Sequence, residues 1–245
     1  MKRLSLTFIL TILFVCHSFG IDATVTAVRE YRRANEFQFL QDFIKLLSIP
    51  NVASDRENIR RNADYLMGLM KERGLKPQLL PPLDEANPPA VYGEWITPNA
   101  KQTIVFYAHY DGQPTDPKQW TGSEPWSPVL RSASLEKGGQ TIPFPKSGET
   151  INPEWRIYGR SASDDKGGVF AILKAFDALR ASKIQPTVNI KFFFEGEEEA
   201  GSSHLGEILA KHKDLLKSDA WIICDGPVHQ SGRKQVVFGV RGADT

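Results

Sequence analysis

The sequence predicts an α/β domain of three layers, helix–sheet–helix, built on a mainly parallel mixed sheet. Apolar runs of strand length at 103–108, 187–194 and 220–224 each end at a polar cluster. Between and before them, 166–181 and 202–216 carry apolar residues at helical spacing. Strand–helix alternation of this kind sets parallel strands side by side and packs helices on both faces. The 245 residues suffice for one sizeable α/β domain, or one domain plus a fragment.

The first twenty residues differ from the rest. Lys2 and Arg3 precede an apolar run from Leu6 to Val15, and Ser18 and Gly20 put small residues at the −3 and −1 positions of a cleavage site. This is the pattern of a secretory signal peptide over 1–20, cut after Gly20, so the mature chain is expected to be secreted or periplasmic. The competing reading, an uncleaved membrane anchor, asks for a longer apolar span. Lipid attachment at Cys16 is disfavoured by bulky Val15 before it. Cleavage takes Lys2 and Arg3 from the 30 basic residues and leaves 28 against 29 acidic ones, a net charge of −1. That balance gives no reason to expect nucleic acid or an anionic membrane as partner. It also removes Cys16, and Cys224 alone cannot form an internal disulfide.

Downstream, a helix over 36–49 places Leu40, Phe43, Ile44 and Leu47 on one face. Ser54-Asp-Arg-Glu57 reads as a capping box for a second helix that Gly74 closes, with Ile59, Ala63, Leu66, Met67 and Met70 as its buried face. Strands are expected at 77–80, 90–96 and 103–108. From Gly112 to Pro153 the chain is rich in Pro, Gly and Ser and shows no period, a long excursion of a kind that is uncommon without a function. Its Trp120 and Trp126 read as loop anchors before they read as cleft lining. Regular structure resumes at 155–158. A helix over 166–181 follows, with Val169, Ile172, Leu173 and Phe176 on one face, then a strand, a helix over 202–216 and a strand. Alternating Val236, Phe238 and Val240 begin another strand within 235–245.

The chemistry concentrates at strand ends, where open α/β sheets collect their ligands. Glu195-Gly-Glu-Glu-Glu-Ala-Gly-Ser202 puts four carboxylates within five residues just after Phe192-Phe-Phe194. Like charges repel and resist burial, so a bound cation is the simplest agent that favours such a cluster. His109 ends the 103–108 run, and Asp111 lies two residues on, hence on the same side of an extended chain. There it can hold the far imidazole nitrogen, a common supporting role at metal centres. Asp164-Asp165-Lys-Gly-Gly168 opens a helix. An N-cap explains one Asp there, but not two followed by paired glycines that admit close backbone approach. Asp225 follows the last strand, where a plain turn is an equal alternative. Imidazole and carboxylate together suit zinc. His204, His212 and His229 read as solvated or locally bonded.

These residues resemble a known family. His109-Tyr-Asp-Gly-Gln-Pro114, Gly159-Arg-Ser-Ala-Ser-Asp-Asp-Lys-Gly-Gly168, the Glu195–Ser202 motif and Cys224-Asp-Gly226 occur in the order found in the dinuclear zinc peptidases. That family includes carnosinase-type dipeptidases, carboxypeptidase G, aminoacylase and succinyl-diaminopimelate desuccinylase. The Trp-containing insert is similar to the carnosinase-like branch. The resemblance implies His109 and Asp225 as terminal ligands of one metal, Asp164 as the bridge, Glu199 on the second metal, Glu198 as general base and Asp111 as support for His109. It implies two divalent ions, zinc with manganese or cobalt as alternatives, and a cis Asp164–Asp165 peptide. The implied activity is hydrolysis of dipeptides or short peptides by a metal-bridging hydroxide with Glu198 as general base. The alternatives are an N-acyl amino-acid deacylase and an inactive metal- or peptide-binding fragment. The family also carries a smaller lid domain for dimerisation, inserted before the catalytic domain resumes and supplies a further metal-binding histidine. By that pattern, 21–234 is the N-terminal part of the catalytic domain and 235–245 the start of a truncated lid. The full-length form would then be a homodimer, and the catalytic domain here incomplete.

Overall fold

In the structure, a computed structural model, residues 2–120 and 122–226 are described, with side chains from Ala23 onward. The expectations for 235–245 and His229 lie outside the described residues. Helices α1 (Lys2–Leu47) and α2 (Arg56–Glu72) precede strands β1 (Gln78–Leu80), β2 (Ala90–Trp95) and β3 (Thr103–His109). The excursion holds β4 (Val129–Arg131) and β5 (Thr141–Ile142), and is followed by β6 (Arg156–Tyr158). Then come α3 (Lys166–Ala181), β7 (Asn189–Glu195), α4 (Leu205–Lys211) and β8 (Ala220–Ile223). Among the described residues, no helix is long and apolar enough to cross a membrane.

The main sheet has the order β1-β2-β7-β3-β8. It is mixed: β3 pairs in parallel with both β7 and β8, while β1–β2 and β2–β7 are antiparallel. The parallel trio matters for function, because it brings the carboxyl ends of β3, β7 and β8 to one rim. There His109 stands in register with Glu195. The Tyr110 N–H extends the ladder by donating to the Glu195 carbonyl at 2.8 Å.

Two apolar clusters make the three layers. On one face, Leu46 of α1, Leu66 and Met70 of α2 and Leu173 and Phe176 of α3 pack with Phe192 and Phe194 of β7. On the other, Ile208 of α4 and Leu216 pack with Val105, Tyr107 and Phe193. The period of two in Phe192-Phe-Phe194 sends one ring to the α4 side and two to the other. All three rings are buried. At about 25 cal/mol per Å² of apolar surface, each adds roughly 2–3 kcal/mol to the strand that carries the acidic cluster.

Several expectations need correction. The cap of α2 is Asp55, whose carboxylate accepts from the Asn58 N–H at 3.2 Å; Ser54 does not form the box with Glu57. The cap moves by one because the carboxylate of Asp55 also takes the Asn58 amide at 2.7 Å, a second bond that a serine hydroxyl here would not make. The helix expected over 202–216 is α4 alone, ending at Lys211 before a turn. The helix expected over 36–49 is the end of α1, which also runs through the leader segment. The excursion supplies β4 and β5 to a small antiparallel sheet of order β5-β4-β6. Both tryptophans anchor it, as expected: Trp126 Nε1–H donates to Asn51 Oδ1 at 3.1 Å, and the Arg160 guanidinium lies over the Trp120 ring.

Candidate metal centre

Each site residue leaves an ordered element within a residue or two. His109 is the last residue of β3 and is fully buried. Its Nε2 faces three carboxylates from three distant segments: Asp164 Oδ1 at 2.9 Å, Asp225 Oδ2 at 3.8 Å and Glu198 Oε2 at 3.9 Å. Its Nδ1 faces Asp111, 3.3 Å from Oδ1 and 3.3 Å from the main-chain carbonyl. Asp111 is as buried as His109. Its oxygens also accept the Glu198 N–H at 3.1 Å and the Glu199 N–H at 3.0 Å. One carboxylate thus orients the imidazole and holds the turn Glu198–Ala200 that follows β7.

The paired aspartates divide their work. The peptide between them is cis. Asp165 is the N-cap of α3: Oδ1 accepts the Gly168 N–H at 3.0 Å and Oδ2 accepts the His109 N–H at 3.3 Å. A side chain at Gly168 would strike that carboxylate, which is the close approach the paired glycines announced. Asp164, freed from capping, has a side chain 65% exposed and turns toward His109. Two groups of potential ligand atoms lie within 4.8 Å of one another, His109–Asp164–Glu199 and His109–Asp165–Asp225. All four expected ligands (His109, Asp164, Glu199, Asp225) are therefore brought together, with Glu198 and Asp111 beside them.

The electrostatics of the pocket favour positive charge. Burial works against a charged His109, but the hydrogen bond and charge of Asp111, with Asp165 and Asp225, outweigh it and push its pKa up to about 10. Burial raises Asp165 to about 7, with Asp225 adding to the effect and His109 opposing it. Glu198 and Glu199 are raised as well, first by burial and then by neighbouring carboxylates. Carboxyls whose pKa values are raised, around an imidazole whose pKa is raised too, form a site short of cations. A divalent ion reverses that balance, and a nitrogen-plus-oxygen donor set is what zinc, manganese and cobalt accept. The residues fit such an ion.

Other residues here escaped the sequence reading. Asn51, fully buried, donates from Nδ2 to the Tyr110 carbonyl at 2.8 Å and to Ser161 Oγ at 2.9 Å, and its carbonyl accepts the Gly112 N–H at 2.8 Å. Lys166, also buried, donates to the carbonyls of Leu46 at 2.8 Å and Ile49 at 2.7 Å. Glu195 is buried and accepts the Tyr107 hydroxyl at 2.6 Å. Gln113 donates to Glu199. His204 is locally bonded, as expected, to Glu197, and it also meets Asn87 from a distant segment, which was not expected. Glu195 belongs to the acidic cluster read from the sequence, but its buried bond to Tyr107 was not foreseen; the adjacency of Asn51 to Pro50 at a helix end, and of Lys166 to the paired aspartates, hinted at their roles.

A buried imidazole ringed by carboxylates at the carboxyl ends of parallel strands is the arrangement used by metal-dependent hydrolases. Residues 105–239, more than half of the chain, match the Peptidase family M20/M25/M40, and the chain belongs to that family. It is 28% identical over 217 residues to the Cys-Gly metallodipeptidase dug1 of Schizosaccharomyces pombe, a match covering 84% of this chain and 41% of that protein. It is 33% identical over 157 residues to the Beta-Ala-His dipeptidase of Homo sapiens, covering 63% of this chain and 27% of that protein. Among solved structures, an M20 family metallo-carboxypeptidase, Sso-CP2 from Sulfolobus solfataricus, superposes with a TM-score of 0.65 at 35% identity, covering 82% of this chain and 40% of that one. The chain therefore spans less than half the length of these relatives.

Proposed function

We propose that this chain provides the metal-binding half of a metallopeptidase that hydrolyses dipeptides or short peptides. The observation that carries the reading is the convergence of Asp164, Glu198 and Asp225 on His109 Nε2 from three separate segments: the start of α3, the turn after β7 and the residues after β8. Family membership and the dipeptidase names of the relatives support the substrate class. His109, Asp164, Glu199 and Asp225 would hold the metal, Asp164 as the bridge between two ions, with zinc as the first choice. When bound, the metal supplies Lewis acidity to a carbonyl and to water.

The remaining chemistry falls to the chain's own groups. Glu198 is a third exposed and reaches toward His109 without belonging to either ligand group. Its raised pKa suits a carboxylate that takes a proton from the attacking water and returns it to the departing amine. Asp111 holds the imidazole through Nδ1, so that Nε2 is left to face the metal. The basic-apolar leader supports export with cleavage after Gly20; the family resemblance, with its lid domain, is the ground for a homodimeric full-length form. N-terminal sequencing and sedimentation test these two.

The experiment is Glu198→Ala in the zinc-loaded protein, assayed on dipeptides and on N-acyl amino acids. Turnover should fall by about 10²–10⁴-fold while zinc stoichiometry holds. Loss of zinc together with activity would make Glu198 a ligand. Preference for acyl amino acids would make the enzyme a deacylase.

A further inference from the structure

We propose that His204 is a positioning residue for the turn that carries Glu198 and Glu199, acting through Glu197 and held in a single tautomer by Asn87. The proposal rests on the metallopeptidase reading above. The chain of bonds assigns its own hydrogens. Asp84 Oδ2, a carboxylate oxygen that accepts, lies 3.4 Å from Asn87 Nδ2 and so identifies that atom as the amide nitrogen. The same nitrogen lies 3.2 Å from His204 Nε2, which must then accept. The ring hydrogen therefore sits on Nδ1, which donates to Glu197, 2.8 Å from Oε2 and 3.0 Å from Oε1. Glu197 Oε2 also accepts the His204 main-chain N–H at 3.1 Å.

This places a clamp on one flank of the catalytic turn. Glu197 immediately precedes Glu198, and its carbonyl accepts the N–H groups of Ala200 at 3.2 Å and Ser202 at 2.9 Å. Asp111 holds the other flank through the amides of Glu198 and Glu199. The turn itself spans three residues and ends at Gly201, whose φ is 90°. A glycine contributes no side chain to restrain it, so the neighbours must. The bond from the His204 main-chain N–H already joins Glu197 to the residue that opens α4. The ring bond and Asn87 add to that bond a fixed direction for the Glu197 carboxylate. A displacement of about 1 Å at a reacting group costs on the order of 10²-fold in rate, so a partial loosening has a measurable kinetic effect.

The test combines imidazole NMR with kinetics on the zinc-loaded chain. In ¹⁵N-histidine-labelled protein, His204 should show the Nδ1–H tautomer, and Asn87→Ala should release it into exchange between tautomers. His204→Ala should lower kcat for dipeptide hydrolysis about tenfold, with KM and zinc stoichiometry unchanged. His204→Asn, whose amide N–H can stand where Nδ1–H stood, should recover most of that loss. An Nε2–H tautomer in the parent chain overturns the proposal, and so does a His204→Asn variant as slow as His204→Ala. If the parent chain neither takes up zinc nor hydrolyses peptides, the functional reading fails. The clamp is then judged by the tautomer and by amide exchange at Glu198 and Glu199, which should accelerate in His204→Ala; unchanged exchange overturns it. If His204→Ala does not fold, Asn87→Ala, a loop substitution, carries the same readouts.

Discussion

Asp111 serves three donors from a position with no solvent exposure: the His109 ring and the amides of Glu198 and Glu199. An asparagine of the same shape offers one acceptor oxygen and a donor where the second oxygen stood. In Asp111→Asn, one of the turn amides or the ring nitrogen then meets a donor and is left unpaired. Zinc affinity should fall about 10–100-fold, read by competition with a chromophoric chelator. Unchanged affinity would mean that Asp111 does not support the centre. Asp164 and Asp165 show the same economy at neighbouring positions, since one caps α3 and thereby leaves the other for the site.

At the scale of elements, the site depends on how α1 and α3 are joined. Lys166 at the start of α3 ties down the carbonyls of Leu46 and Ile49, and Lys174 reaches Asp42 of α1 at 2.9 Å. Burial raises the Asp42 carboxyl, but the bonds from Lys174 and Gln38 and the Lys174 charge outweigh it and hold the group below its ordinary 3.8. A carboxyl depressed in the folded state stabilises it above the unfolded-state value, and that contribution is lost as pH falls through the folded value. Asp42→Asn should therefore cost about 0.5–1 kcal/mol at neutral pH, because the pair is only partly screened. Its gap to the parent chain should close as pH drops below 3.8. Urea midpoints across that range check it, and a gap independent of pH would contradict the assignment.

For the whole molecule, metal binding and folding would be coupled, because the proposed ligands come from β3, the start of α3, the turn after β7 and the residue pair after β8. An ion that binds only the folded state stabilises it by mass action. With zinc at roughly 100 times its dissociation constant, the gain is about 2.7 kcal/mol. For a chain of this size that is a rise of about 5–10 °C in Tm. Calorimetry with zinc and then with chelator should show the rise and its reversal; an unmoved Tm would remove the metal from the reading. The sheet ends, among the described residues, on β8, where Trp221, Ile222 and Ile223 stand 38%, 42% and 42% exposed.

The sequence by itself determined most of the elements, but not β4 and β5 or the true extent of α4, and it pointed to the acidic and imidazole side chains that meet at the rim. Helical and strand periods are local, and the faces of α2 and α3 were legible from Ile59, Leu66, Val169 and Leu173. The ends of β3, β7 and β8 announced themselves by abrupt changes from apolar to acidic residues. Tertiary structure alone decided which aspartate caps and which faces His109, that Asn51 joins Tyr110 to Ser161, and that Asn87 meets His204. Those bonds join residues far apart in the chain, and no local propensity encodes them. The bridge between Val52 and Gly112 brings Asn51 to Tyr110, and the pairing of β2 with β7 brings Asn87 to His204; both depend on how the sheet is assembled, not on any local run of residues.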